Sequence, residues 1–289
     1  MLCSIARPDV GVVTAVGPAH LETFGSLDGV ARAKAELVEA LPPDGLAILN
    51  ADDRIVASFA ERTDAPVLRF GRHPNADVRA DDVRTDAAGH ARFTLVHDDE
   101  CVDVRLGVIG EHMVTPALGA ASCGIALGLP LAACAAGLEG ARPSPGRMQE
   151  LTTPTGMLII HDAYNANPMS MRAALRALAA VRNRTRAIAV LGPMAQLGAS
   201  SRVAHEQIGR VAADLGIHGL FAVGEQARPI ADGALAGGMA RERVRWCLDQ
   251  DEALDVVLNS VGANDVLLVK ASRTAHLEQM VEELLLLRR

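Results

Sequence analysis

Only two of the 28 basic residues are lysines, Lys34 and Lys270; the rest are arginine. Arginine therefore meets the general need for positive charge, and a lysine then marks either a place where a compact or deprotonatable amine is required or codon bias and chance. Lys34 falls on an apolar stripe formed by Val30, Leu37, Val38 and Leu41, so its amine is expected on the buried side of a helix. An amine there must be paired, neutral or chemically modified, unless its stem packs and its tip reaches water. His20 follows the first predicted strand closely. Together the two suggest a metal site, because a buried lysine that takes up carbon dioxide becomes a carbamate, a hard oxygen ligand suited to magnesium. Lys270 opens the run Lys270-Ala271-Ser272-Arg273, which places an amine, a hydroxyl and a guanidinium at a helix start, a set suited to a carboxylate.

A second polar cluster, Asp162-Ala163-Tyr164-Asn165-Ala166-Asn167-Pro168, follows the apolar run Leu158-Ile159-Ile160-His161. Several polar side chains between a strand and a helix N-terminus can hold a nucleotide sugar or phosphate, beyond what capping alone requires. Asn50-Ala51-Asp52-Asp53 is a third polar cluster at a strand end, suited to capping the next helix. The 289 residues contain no G-x-x-x-x-G-K-[ST] phosphate loop, no G-x-G-x-x-G after a strand and no G-x-S-x-G elbow. A dinucleotide-binding dehydrogenase is disfavoured accordingly.

The elements that must position these groups alternate. Residues 10–16 read as a buried strand, and Ser26 as the N-cap of a helix running to about Leu41. Leu46 to Leu49 form a short strand, and residues 67–108 have hairpin character with a tight link at Asp98-Asp99-Glu100. Helices are predicted at about 116–127 and 130–139. Ala141 to Gly146 is rich in turn formers and marks a boundary, giving domains 1–144 and 145–289. Beyond it, strands at 157–161, 186–191, 219–223, 243–247 and 265–269 alternate with helices. The helix after Asn167-Pro168 buries Met171, Leu175, Leu178 and Val181; the one over 201–215 buries Val203, Ile208, Val211, Ala212 and Leu215 and stops at Gly216; the last buries Leu277, Met280, Val281, Leu284 and Leu285. Such alternation predicts an α/β chain with a doubly wound parallel sheet, whose sites lie beyond the carboxyl ends of the strands.

Composition agrees with a folded chain that has a core of its own. The chain is 49% hydrophobic and 22% charged, with a net charge of −7, which argues against nucleic acid as a partner. No run of about 18 apolar residues predicts a membrane span, and the N-terminus lacks a signal-peptide pattern. Five cysteines, Cys3, Cys101, Cys123, Cys134 and Cys247, are scattered and odd in number, as expected of buried thiols in a reducing cytoplasm.

The runs Gly17-Pro18-Ala19-His20-Leu21-Glu22-Thr23-Phe24-Gly25-Ser26, Ala33-Lys34-Ala35-Glu36-Leu37 and Leu49-Asn50-Ala51-Asp52-Asp53 resemble the central domain of the Mur ligases. Asp162 to Pro168, Gly146-Arg147-Met148 and Lys270 to Arg273 resemble the MurF branch of that family. The resemblance implies a partial central ATPase domain followed by a Rossmann-like C-terminal domain. It implies an ATP- and magnesium-dependent ligase of peptidoglycan precursor synthesis, which joins D-alanyl-D-alanine to UDP-N-acetylmuramoyl-tripeptide through an acyl phosphate. By the same resemblance Lys34, carbamylated, and His20 are the catalytic and metal-site residues. Arg147, Asp162, Tyr164 and Asn165 face the nucleotide, with Asn50 and Asp52 in a recurrent cofactor motif. Asn167, Lys270, Ser272 and Arg273 meet substrate. A cytoplasmic monomer is expected. The family's N-terminal UDP-sugar domain and phosphate loop are not among these residues, so the chain alone is expected to be inactive. The alternative is a non-catalytic remnant that binds nucleotide or peptide. Two segments depart from the family pattern: Pro116 stands where an amide side chain serves adenine, and Gly192-Pro193-Met194-Ala195-Gln196-Leu197-Gly198 lacks the loop's two acids.

Overall fold

The computed structural model describes residues 2–17, 21–181 and 183–286, the side chains of Leu21 and Glu22 excepted. The chain divides into two compact units. The first comprises Met1–Arg84, Ala91–Gly107 and Glu111–Ala141; the second comprises Thr85–His90, Val108–Gly110 and Arg142–Arg289.

The first unit is built on a six-stranded sheet in sequence order: β1 (Val10–Val13), β2 (Leu46–Asn50), β3 (Val67–Gly71), β4 (Val78–Thr85), β5 (His90–His97) and β6 (Glu100–Ile109). The pairs β1–β2, β2–β3 and β3–β4 are parallel. The helices of this part are α1 (Leu2–Ala6), α2 (Leu21–Phe24), α3 (Leu27–Glu39), α4 (Arg54–Ser58), α5 (Val114–Ala126) and α6 (Leu131–Glu139). Ser26 caps α3 by accepting from the Gly29 N–H, as its sequence position predicts. Val30, Ala35, Val38 and Leu41 pack with Val13, Leu49 and Phe59 in a core of their own. β1 ends at Val13 rather than at residue 16, because the chain leaves the sheet at Thr14 to meet Asn50.

The second unit contains β7 (Gln149–Thr152), β8 (Leu158–Asp162), α7 (Pro168–Ala180), β9 (Ala187–Leu191), α8 (Ser201–Asp214), β10 (Gly219–Val223), α9 (Arg228–Ala236), β11 (Val244–Cys247), α10 (Gln250–Ser260), β12 (Val266–Lys270) and α11 (Glu278–Leu286). Its sheet runs β11-β10-β9-β12-β8-β7. All pairs are parallel except β7–β8, an antiparallel edge whose short, half-exposed strand the apolar pattern did not announce. The five predicted strands are all present within one residue at each end. The residues of β8, β9, β10 and β12 are buried on both faces, as a doubly wound sheet demands, while the edge strand β11 is partly exposed. One face packs Leu158, Ile160, Val266 and Leu268 against Met171 and Leu175 of α7. The other packs Ile159, Leu267 and Val269 against Leu277, Met280 and Val281 near and on α11. Each such buried side chain contributes roughly 1.5–3 kcal/mol.

Helices α8 and α9 cross where Gly209 and Gly233 face each other: a Cβ on Gly209 would lie 1.9 Å from the Ile230 carbonyl oxygen. The α8 face that packs is His205, Ile208, Gly209 and Ala212; Val203 is 56% exposed, because it lies in the first turn on the side away from that stripe. The cysteines are all free, yet only Cys134 and Cys247 are buried, and Cys101 is exposed at the start of β6, where side chains alternate to solvent. Burial pushes the Cys247 thiol up to about 11. Among the described residues no helix is long and apolar enough to cross a membrane.

Candidate functional site

The carboxyl ends of β8 and β12 lie side by side, with Asp162 and Lys270 partners in the strand register. Both side chains fall on the α7 face, and both are buried. Lys270 Nζ donates to Asp162 Oδ2 at 2.7 Å and to the Asn165 carbonyl at 2.9 Å. Asp162 Oδ1 accepts from the Met148 N–H at 3.1 Å. Burial pushes the Lys270 ammonium below its ordinary pKa, and the Asp162 carboxylate pulls it back up. A buried charge without a partner is far costlier than one with a partner, so this pair fixes the geometry of three chain segments at once.

The loop above the pair is ordered in turn. Asn167 caps α7 through a reciprocal capping box with Ser170, and Pro168 occupies the first helical turn. The Tyr164 N–H donates to the Gly146 carbonyl at 3.0 Å. Gly146 has a φ of +71°, and a Cβ there would meet the Tyr164 backbone at a tight 3.3 Å, so any other residue here is strained. Met148 is held at a φ of +53°, a strained setting for a methionine, which delivers its N–H to Asp162. The Arg147 guanidinium lies 4.1 Å from the centre of the Tyr164 ring, and that of Arg273 lies 5.3 Å from it. Arg147, Tyr164, Asn165 and Arg273 are exposed. A cleft of about 520 Å³ is lined by Arg147, Tyr164 and Arg273, together with His161, Glu278 and Glu282.

Ser272 is buried, and its hydroxyl accepts from the Ala195 N–H at 2.9 Å. The Ser272 N–H donates to the Pro193 carbonyl, and the Gly192 N–H to the Lys270 carbonyl, both at 2.9 Å. From below, fully buried His205 accepts the Met194 N–H on Nε2 at 2.9 Å and donates from Nδ1 to the Ser201 carbonyl at 2.7 Å. Burial lowers the His205 pKa, which keeps the neutral form that this pattern requires. The loop that lacks the family's two acids is thus pinned by its backbone. Sequence reading passed over His205, although it sits three residues before Ile208 and seven before Ala212, on the buried stripe.

The first unit holds its polar cluster differently. Asn50 is buried; its side chain donates to the Thr14 carbonyl at 2.7 Å and accepts the Asp52 N–H at 2.9 Å. Asp52 accepts from the backbone N–H groups of Arg72 and His73. Asp53 caps α4 and also accepts the Val16 N–H at 2.8 Å. Lys34 is exposed, not buried. Its angular position faces the sheet, but β1 has ended at Val13, and the amine reaches out to the Ala15 carbonyl. His20 lies outside the described residues. Pro116 sits in the first turn of α5, where its missing N–H costs nothing. Among the described residues no three His, Cys, Asp or Glu side chains are grouped to hold a metal.

Comparison with known proteins agrees with this architecture. Residues 1–124 match the Mur ligase middle domain, and residues 146–273 match the Mur ligase glutamate ligase domain. The chain is 41% identical to UDP-N-acetylmuramoyl-tripeptide–D-alanyl-D-alanine ligase of Mycobacterium tuberculosis, covering 98% of this chain and 59% of that protein. It is 35% identical to the ligase of the same name from Escherichia coli, covering 97% and 61%. The chain therefore spans about three fifths of the length of the curated relatives it matches. A crystal structure of MurF from Acinetobacter baumannii superposes with a TM-score of 0.85 at 32% identity, over 98% of this chain and 61% of that one. MurF from Thermotoga maritima in complex with ADP superposes with a TM-score of 0.83 at 25% identity, over 98% and 63%. The two sheets, their strand-end clusters and these matches together place the chain in the Mur ligase family, to which it belongs through its middle and glutamate ligase domains.

Proposed function

We propose that these residues form the middle and C-terminal parts of a MurF-type ligase, a cytoplasmic enzyme that joins D-alanyl-D-alanine to UDP-N-acetylmuramoyl-tripeptide with ATP. The observation that carries the reading is the division of labour at the ends of β8 and β12. Asp162, Lys270 and Ser272 are buried and committed to one another and to backbone. Arg147, Tyr164, Asn165 and Arg273 are exposed above them.

In this reaction the peptide carboxylate takes the terminal phosphoryl group, and the dipeptide amine then attacks the activated carbonyl, releasing phosphate. The obstacle is repulsion between a carboxylate and a polyphosphate, and the remedy is fixed positive charge and fixed orientation. Arg147 and Arg273 supply the charge, held against one aromatic ring so that little freedom is lost on binding. Asp162 and Lys270 orient the loop that carries Tyr164, Asn165 and Asn167, while Ser272 holds the Pro193 to Ala195 turn. Asn50 and Asp52 act at one remove, by fixing the backbone at Thr14 and at Arg72 and His73.

Magnesium enters the proposal through Lys34 and His20. The exposed Lys34 amine is open to carbon dioxide, and as a carbamate it would supply oxygen ligands. In its ammonium form it is a donor to Ala15, and the described residues group no other ligands for a cation, so no step here is routed through a metal.

Calorimetric titration of ADP into the 289-residue chain tests the nucleotide assignment. Binding is expected, and Asp162→Ala is expected to abolish it. Unchanged affinity in that variant refutes the assignment. Phosphate release by this chain alone is expected to be nil, since it contains no phosphate loop. Release that depends on both D-alanyl-D-alanine and the UDP-tripeptide would overturn that expectation.

A further inference from the structure

Consecutive residues of a strand point to opposite faces of the sheet. Asp162 therefore joins Lys270 on the α7 face, while His161 follows Ile159 onto the α11 face. His161 is only 9% exposed, and its Nε2 is buried with no hydrogen-bond partner. It lies 3.6 Å from where a Gly146 Cβ would stand, so the Gly146 backbone passes close to this nitrogen without donating to it. It lines the same cleft of about 520 Å³ as Glu278 and Glu282 of α11. Glu278 Oε2 is likewise buried and unpartnered, while Oε1 faces His276 Nδ1 at 3.4 Å. The opposite charge in this cleft comes from Arg147 and Arg273, gathered on Tyr164.

Buried polar atoms are nearly always paired, so two unpaired ones lining one cleft call for an occupant. A carboxylate oxygen can only accept, and the guanidinium groups can only donate. We propose that His161 and Glu278 form a ligand-reading floor that takes a nitrogen donor, from a molecule whose anionic end rests on Arg147 and Arg273. Burial lowers the His161 pKa, against the pull of Asp162, Glu278 and Glu282, which favours an imidazole that can accept as well as donate. The proposal rests on the ligase reading, and within it two molecules share this chemistry: a nucleotide, through its base amino group and phosphates, and the dipeptide, through its ammonium and carboxylate.

The test follows the His161 ring nitrogens by ¹⁵N NMR in the 289-residue chain, with ADP and D-alanyl-D-alanine added in separate titrations. One of the two is expected to shift the Nε2 resonance. The affinity of that ligand is expected to fall about tenfold in His161→Phe and in Glu278→Gln, the loss of roughly one good hydrogen bond. Thermal melting separates a binding role from a structural one: removing an unpaired buried polar atom should leave the melting temperature of His161→Leu unchanged or raised. A lowered melting temperature with unchanged affinities overturns the proposal, as does an Nε2 that answers to neither ligand and is satisfied by water only. ADP binding that is lost in Asp162→Ala while Nε2 stays silent leaves the ligase reading intact and removes this proposal alone.

Discussion

The two lysines of this chain solve opposite problems. Lys270 is 2% exposed and locked between Asp162 and the Asn165 carbonyl. Lys34 is exposed and touches the Ala15 carbonyl alone among the contacts described for its amine. Both stand beside the carboxyl end of a parallel sheet, where α/β proteins place their sites. The difference lies in what the sheet offers. β12 is a central strand flanked on both sides, so its last residue is covered and must be paired. β1 is an edge strand of four residues, and the helix outruns it. Lys270 is thus an organising charge, whereas the Lys34 amine stands at the surface.

Exchanging the lysines for neutral residues gives the largest contrast. Lys270→Ala leaves the Asp162 carboxylate buried without its partner and is expected to cost about 3–5 kcal/mol in urea unfolding of the second unit. A cost below about 1 kcal/mol would mean that the pair is solvated and does not organise the site. Asp52→Ala strips the acceptor from the Arg72 and His73 N–H groups and should cost about 1–3 kcal/mol, with faster hydrogen exchange at both amides. Lowered pH should act on the second unit through His205 and His161. Both folded-state pKa values lie below the ordinary histidine value, so the unfolded chain binds more protons as pH falls below about 6.5, and stability drops there. His205→Gln keeps an acceptor for Met194 and removes the titration, so it should flatten part of that slope. The smallest effect belongs to Lys34→Met, within about 0.5 kcal/mol of the parent, because an exposed amine contributes little. A large loss there would erase the contrast between the two lysines.

Much of this was legible in the chain itself. The strand–helix alternation after residue 145 set the second sheet, because parallel strands buried on both faces read as unbroken apolar runs such as Leu158 to Ile160. The Asp162 to Pro168 cluster was legible as a strand-end loop for the same reason. Its pairing with Lys270 was not, since the two lie 108 residues apart and meet only through the β8–β12 register. The hydrogen-bond partners of Asn50 and Asp52 were not legible, because Thr14, Arg72 and His73 lie just past the ends of β1 and β3, which no local pattern joins to residues 50–52. Helix angle alone puts Lys34 on the buried side and does not decide between a covered amine and one whose tip reaches water, because it carries no information about where a neighbouring strand stops. The residues at 85–90 and 108–110 show the same limit: they continue the hairpin strands of the first sheet, yet they pack with the second unit, where the Asn183 N–H donates to the Ala87 carbonyl.

The central claim is that the β8–β12 strand ends, and not the Asn50 to Asp53 cluster alone, present the nucleotide-contacting residues. Amide hydrogen exchange of the 289-residue chain with and without ADP measures this residue by residue. The account predicts added protection at 146–148 and 162–167 in the parent chain, and none in Arg147→Ala. Protection confined to 50–53 and 72–73, with the 162–167 amides unchanged, would contradict it.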